Sequence, residues 1–120
     1  MDLGFCNYKM GDMKKMLILG GSGGIGREMT MLFSEKYEVL SCSSKTFDIT
    51  NLPFLEKFFN LNTYDIILNA SGYNYDSFVH KYSMKNIHEV DKMIDINVKG
   101  SLNLLSACLP EMRKRGHGRV

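Results

Sequence analysis

Met16-Leu17-Ile18-Leu19-Gly20-Gly21-Ser22-Gly23-Gly24-Ile25-Gly26 is the stretch on which the fold turns. Its first four residues form a short, continuous apolar run, the pattern of a strand buried on both faces of a parallel sheet. Glycine then fills five of the seven positions from 20 to 26. Ile25, Met29, Leu32 and Phe33 fall at helical spacing, which predicts an amphipathic helix over residues 24–36. A strand, a glycine-rich turn and a helix N-terminus in succession offer backbone N–H groups to an approaching anion, so the segment reads as a phosphate cradle. Arg27 follows the last glycine, and no Gly-Lys-Ser/Thr stands there, which excludes a Walker-type loop.

Working outward, residues 39–42 read as a second strand and 47–49 as a very short third. Residues 52–60 carry Leu55, Phe58 and Phe59 on one side of a helix, with Pro53 in the first turn where it is tolerated. Residues 64–70 (YDIILNA) give the strongest strand signal, and 74–85 are polar and aromatic, a loop over a site. Ile87, Val90, Ile94, Val98, Leu102, Leu105 and Leu109 then recur every three or four residues. They predict one long helix over 86–114, bent near Gly100 or Pro110 and stopped by Arg113-Lys114-Arg115-Gly116. Gly118-Arg119-Val120 reads as the lead-in to a further strand, with the natural chain expected to continue. Strands alternating with helices imply an α/β fold, a parallel sheet with helices on both faces, truncated at the start of strand five.

At 120 residues, 44% hydrophobic and 23% charged, the composition is that of one ordinary globular domain. Residues 1–15 show no period and are expected to be a poorly ordered extension, with Met10 or Met13 as alternative starts. Residues 16–120 form the domain. Arg113, Lys114, Arg115 and Arg119 cluster where a helix should end, so dipole compensation explains them better than nucleic acid, which is rejected as a partner. Cys6, Cys42 and Cys108 are odd in number and widely scattered, which points to free thiols in a reducing compartment and to no metal site. With neither a secretory leader nor an apolar run of membrane-spanning length, the expected location is the cytoplasm, with no membrane partner.

The glycines fit two registers. Gly21, Gly23 and Gly26 make G-x-G-x-x-G, while Gly20, Gly24 and Gly26 make G-x-x-x-G-x-G. With Thr46-Phe47-Asp48-Ile49-Thr50, Asn69-Ala70-Ser71-Gly72, Asp95-Ile96-Asn97-Val98-Lys99-Gly100 and Leu109-Pro110-Glu111-Met112, the second register resembles the short-chain dehydrogenase/reductase family of the classical type, similar to a 3-oxoacyl-carrier-protein reductase. The resemblance spans residues 16–120. It implies a Rossmann-type fold and hydride transfer between a nicotinamide cofactor and a small-molecule carbonyl or alcohol. By resemblance, Gly20, Ser22, Gly23, Gly24, Ile25 and Gly26 hold the pyrophosphate, Asp48 faces adenine, and Asn69, Ala70, Ser71 and Gly72 line the ribose side. Asn97 matches the asparagine that distorts the helix and holds a water in the proton relay, and it is the single catalytic candidate. Leu19 and Ala70 depart from the family's usual Thr and Asn. The family's catalytic Ser and Tyr-x-x-x-Lys would lie beyond Val120, so the chain is expected to be inactive alone. The family also implies a homo-oligomer built through the long helix.

An NAD site places a carboxylate at the end of the second strand to take the ribose hydroxyls. Here that end reads Ser41-Cys42-Ser43-Ser44-Lys45. Ser43, Ser44 and Lys45 would welcome a 2′-phosphate, which favours NADP, with NAD as the alternative. Two rival functions remain. One is a dinucleotide-binding module without turnover. The other is a sugar-nucleotide epimerase or dehydratase of the extended branch, whose G-x-x-G-x-x-G also occurs as Gly20, Gly23 and Gly26. His80, His88 and His117 lack metal-ligand spacing.

Overall fold

The computed structural model describes residues 13–120; most of the expected extension lies outside the described residues. The elements are β1 (Lys15–Leu19), α1 (Gly24–Phe33), β2 (Glu38–Cys42), α2 (Leu52–Leu61), β3 (Ile66–Asn69), α3 (Ile87–Ile94) and α4 (Ser101–Arg115). A single wide π turn, Asp95–Gly100, joins α3 to α4.

All strand pairs are parallel and the order is β2-β1-β3, with Leu17 opposite both Leu40 and Ile67. Side chains alternate across a strand, so β1 buries both faces. Leu17 and Leu19 join Ile67, Leu55, Phe59, Leu104, Cys108 and Met112 in the main core. Met16 and Ile18, at 3% and 0% exposure, are buried outside that cluster. α2 and α4 pack together over the main core, and α1 contacts β1 and β2. This is the expected α/β parallel sheet with helices on both faces. Arg119 extends it through an isolated parallel bridge to Ile66, with the Ile67 N–H donating to the Arg119 carbonyl at 2.8 Å.

The third strand expected at 47–49 is not formed. Phe47 and Ile49 are buried, at 5% and 4% exposure, but they belong to an irregular segment between β2 and α2. Phe47 packs edge-on against Phe54 and Phe58, with ring centroids at 5.1 and 4.9 Å, so its apolar signal came from the core and not from a ladder. α2 starts as its sequence dictates: the Asn51 side chain accepts from the Phe54 N–H at 3.1 Å and Pro53 occupies the first turn.

Two helical faces also differ from their periodicity. On α1, Ile25 and Leu32 are 69% and 66% exposed, and Gly26 is the residue that packs inward. On the long helix, the expected stripe through Ile94, Val98, Leu102 and Leu109 is exposed. Gly100, Leu104, Cys108 and Met112, spaced by four, make the buried face instead. Gly116 ends α4 in the left-handed conformation (φ 80°), its N–H donating to the Met112 and Arg113 carbonyls.

At the amino end of the sheet, the Asp65 carboxylate accepts from the Lys15 N–H at 2.8 Å and meets Arg115 and His117 at 3.2 and 3.1 Å. Arg115 also donates to the Tyr64 carbonyl and to Glu111. These contacts tie the starts of β1 and β3 to the end of α4.

Candidate functional site

From β1 the chain crosses to β2 on one side and later places β3 on the other, so the strand order reverses between β1 and β3. Open α/β sheets bind ligands in the crevice at the carboxyl end of such a switch point. Gly20 turns there with φ +76°, and a Cβ on it would lie 2.6 Å from the Ala70 carbonyl. A Cβ on Gly26 would come within 2.1 Å of the Gly20 carbonyl oxygen, so α1 starts in direct backbone contact with the turn. Gly24 differs, because a Cβ there would meet nothing within 4 Å. Gly23 caps the helix without a side-chain hydrogen bond, which leaves the first-turn amides of Gly24, Ile25 and Gly26 without a side-chain acceptor. Ser22 is exposed beside them, its carbonyl 3.5 Å from Arg27 Nη2.

The end of β2 adjoins the turn, for the Gly21 N–H donates to the Cys42 carbonyl at 2.9 Å. Ser43 then closes a tight turn by accepting from the Thr46 and Phe47 amides, leaving Ser44 and Lys45 exposed at its tip. No carboxylate lies in this segment. Asp48 is exposed, but its Oδ1 accepts from the Thr50 N–H at 2.9 Å and the Thr50 hydroxyl at 2.7 Å, a turn-closing role. Burial pushes the Cys42 thiol up, away from a reactive thiolate.

Across the crevice, the amide Oδ1 of Asn69 accepts from the Ser71 N–H and hydroxyl, and its Nδ2 donates to Ser101 Oγ at 3.4 Å. Ser101 Oγ donates in turn to the Asn97 carbonyl at 3.0 Å. Asn97 stands in the π turn, with Oδ1 accepting from the Tyr73 N–H at 2.9 Å and Nδ2 donating to the Tyr73 carbonyl at 2.8 Å. Both functions of its amide therefore grip the backbone of one loop residue. Gly72 passes directly beside it, where a Cβ would lie 3.4 Å from Asn97 Oδ1.

Tyr73, Glu89, Lys92 and Ser101 were not foreseen. The Tyr73 hydroxyl donates to Glu89 and Lys92 Nζ sits 4.1 Å from its ring centroid. The Glu89 hydrogen bond, with some burial, raises the Tyr73 pKa; the same bond pulls Glu89 down. Nothing in local periodicity reveals these partners. A 380 Å³ cavity lined by Lys15, Glu38 and Tyr64 lies at the opposite, amino end of the strands, away from the glycine turn. Among the described residues, no three His, Cys, Asp or Glu side chains are grouped to hold a metal, and no helix is long and apolar enough to cross a membrane.

Comparison with known proteins gives a consistent answer. The model of the short chain dehydrogenase family matches residues 54–120, more than half of the chain. An uncharacterized oxidoreductase of Staphylococcus saprophyticus is 30% identical over 132 aligned positions, which cover 89% of this chain and 52% of that protein. The chain thus spans about half the length of this relative. Serine dehydrogenase from Escherichia coli superposes with a TM-score of 0.72 at 22% identity, covering 87% of this chain and 58% of that one. A small-chain dehydrogenase in complex with NADPH superposes at 0.68 and 23% identity, covering 80% and 44%. At these identities the two structures speak for the fold alone.

Proposed function

Since the chain belongs to the short-chain dehydrogenase family, we propose that it binds a nicotinamide dinucleotide, NADP in preference to NAD, across the crevice between β1 and β3. It would thereby supply the cofactor-holding part of an oxidoreductase acting on a small carbonyl or alcohol. The observation that carries this reading is the N-terminus of α1, which no side chain caps, with open space beside Gly24 and with Gly20 and Gly26 packed backbone to backbone. A pyrophosphate needs unpaired amides, a favourable helix dipole and room for close approach, and this cradle offers all three. When bound, the nicotinamide gives up or takes the hydride.

The other residues support the same pose. Ser43, Ser44 and Lys45 follow the strand end that the glycine turn touches, and a segment with hydroxyls, a cation and no carboxylate suits a 2′-phosphate better than free ribose hydroxyls. Asp48 would face the adenine through the carboxylate oxygen not used by Thr50. Asn69, Ala70, Ser71 and Gly72 would line the far ribose, with Asn69 and Asn97 holding that wall in place. Asn97 serves this site by positioning the backbone at Tyr73, while its carbonyl, met by the Ser101 hydroxyl, is the group left for a relay. The exposed Val98, Leu102 and Leu109 support self-association through the long helix. A 3-oxoacyl-carrier-protein reductase or a similar carbonyl reductase is the activity this reading favours.

Calorimetric titration of the 120-residue chain with NADPH and with NADH tests the reading. Binding of both is expected, NADPH more tightly, with the ratio narrowed in Lys45→Ala. A folded chain that gives no binding heat with either cofactor refutes the proposal.

A further inference from the structure

We infer that Tyr73 and Glu89 are positioning residues that set the affinity of the site for the nicotinamide half of the dinucleotide. This inference rests on the dinucleotide reading above. With the pyrophosphate at the N-terminus of α1 and the adenosine ribose toward the end of β2, the remaining half of the ligand must extend toward β3. The wall it meets is the strand exit Ala70-Ser71-Gly72, irregular backbone with a glycine at its end. Such a segment samples many conformations unless its neighbours hold it, and each residue left unordered adds to the entropy cost a ligand must overcome.

Ala70 and Ser71 are held at the strand end by Leu19 and Asn69, and Tyr73 is the point at which the far end of that segment is held. Asn97 takes both its backbone N–H and its carbonyl, at 2.9 and 2.8 Å. Its hydroxyl donates to the Glu89 carboxylate, a charge-assisted hydrogen bond. Lys92, one turn further along α3, places its ammonium 4.1 Å from the ring centroid, within cation–π range. Glu89 also meets His88 at 3.2 Å. Two helical turns thus grip one residue by backbone, hydroxyl and ring, and that residue directly follows Gly72. The Asn97 clamp fixes where the backbone passes. The Glu89 bond fixes the direction of the side chain and so keeps Tyr73 seated in that clamp.

The test compares two probes on the full chain: NADPH, which spans the crevice, and 2′,5′-ADP, which carries only the adenosine half. Tyr73→Phe and Glu89→Ala are expected to weaken NADPH about threefold to tenfold, the span of one modest hydrogen bond. Both should leave 2′,5′-ADP unchanged. Glu89→Gln keeps an acceptor oxygen and is expected to recover most of the NADPH affinity. Equal weakening of both probes would show a general structural role and overturn the inference, as would unchanged NADPH affinity in Tyr73→Phe and Glu89→Ala. If Tyr73→Phe does not fold, the difference between Glu89→Ala and Glu89→Gln decides. Failure of the unaltered chain to bind NADPH would overturn the dinucleotide reading itself, whereas normal binding with indifferent variants would overturn only the role of Tyr73 and Glu89.

Discussion

Two glycines two positions apart in the first turn of α1 should respond to alanine in opposite ways. At Gly26 the three atoms nearest a new Cβ are all backbone: the Gly20 oxygen at 2.1 Å, the Gly20 carbonyl carbon at 2.7 Å and the Gly21 Cα at 2.8 Å. Ordinary contact begins at 3.4 Å, so either the turn or the helix must move, and no flexible side chain can yield. Overpacking of this kind costs about 1–3 kcal/mol, and backbone neighbours place Gly26→Ala at the upper end. Helix propensity returns about 1 kcal/mol, for a net loss of about 2 kcal/mol. At Gly24 the added methyl meets nothing, and restriction of the unfolded chain should stabilise Gly24→Ala by about 0.4–1 kcal/mol. That methyl would nevertheless stand in the space assigned to the pyrophosphate, so NADPH affinity should fall about tenfold or more, the equivalent of about 1.4 kcal/mol. Urea unfolding followed by circular dichroism measures the stabilities, and calorimetry measures the binding. Equal stability losses at the two positions would refute the packing argument. A stable Gly24→Ala chain that binds NADPH like the parent would refute the assignment of the open space.

Leu104→Ala, at a site 1% exposed in the main core, should lose about 2–5 kcal/mol in urea unfolding, whereas Leu102→Ala on the exposed face should lose under about 0.5 kcal/mol. Asn97→Asp keeps an acceptor for the Tyr73 N–H but sets a carboxylate oxygen against the Tyr73 carbonyl. It should destabilise by about 1–2 kcal/mol and speed amide exchange in the 71–73 segment; unchanged exchange would argue against the clamp. Burial pushes the Asp65 carboxyl up, but the Lys15 amide, His117 and Arg115 outweigh it and hold the pKa below its ordinary 3.8. The stability contributed is therefore present above pH 3.8 and lost as the pH falls through the lowered value; Asp65→Asn should flatten that part of the acid limb.

The strand–glycine–helix unit was legible because composition and period coincide there: four apolar residues, a run of glycines, then helical spacing. β3, the start of α2 near Pro53 and the stop at Gly116 were readable for the same local reasons. The residues at 47–49 misled because a buried Phe and Ile two positions apart imitate strand alternation, and only the aromatic neighbours 54 and 58 distinguish a core plug from a ladder. On the long helix both faces are apolar in part, so periodicity found a stripe but chose the exposed one. Burial was decided by Gly100, whose missing side chain lets Ile49 approach to within 2.6 Å of where a Cβ would stand. Asn97 was singled out by its match to the family's helix asparagine, yet its partner lies 24 residues away. Tyr73–Glu89 and Asn69–Ser101 span 16 and 32 residues. Contacts of that range arise from topology, and no local pattern encodes them.

The π turn at Asp95–Gly100 carries one more residue per turn than the α-helix on either side. Its content is therefore a count as much as a set of identities. Removing any one residue from it would restore regular winding without breaking the helix. It would leave α3 and α4 nearly in phase, because five α-helical residues turn the chain about as far as six in the wider winding. Glu89 and Lys92 would keep their bearing on Tyr73, and Leu104, Cys108 and Met112 would stay seated in the core. What would shift is Asn97, which lies inside the turn, and with it the two bonds it makes to the Tyr73 backbone. A single-codon deletion here would therefore spare both halves of the helix and release the loop at the crevice.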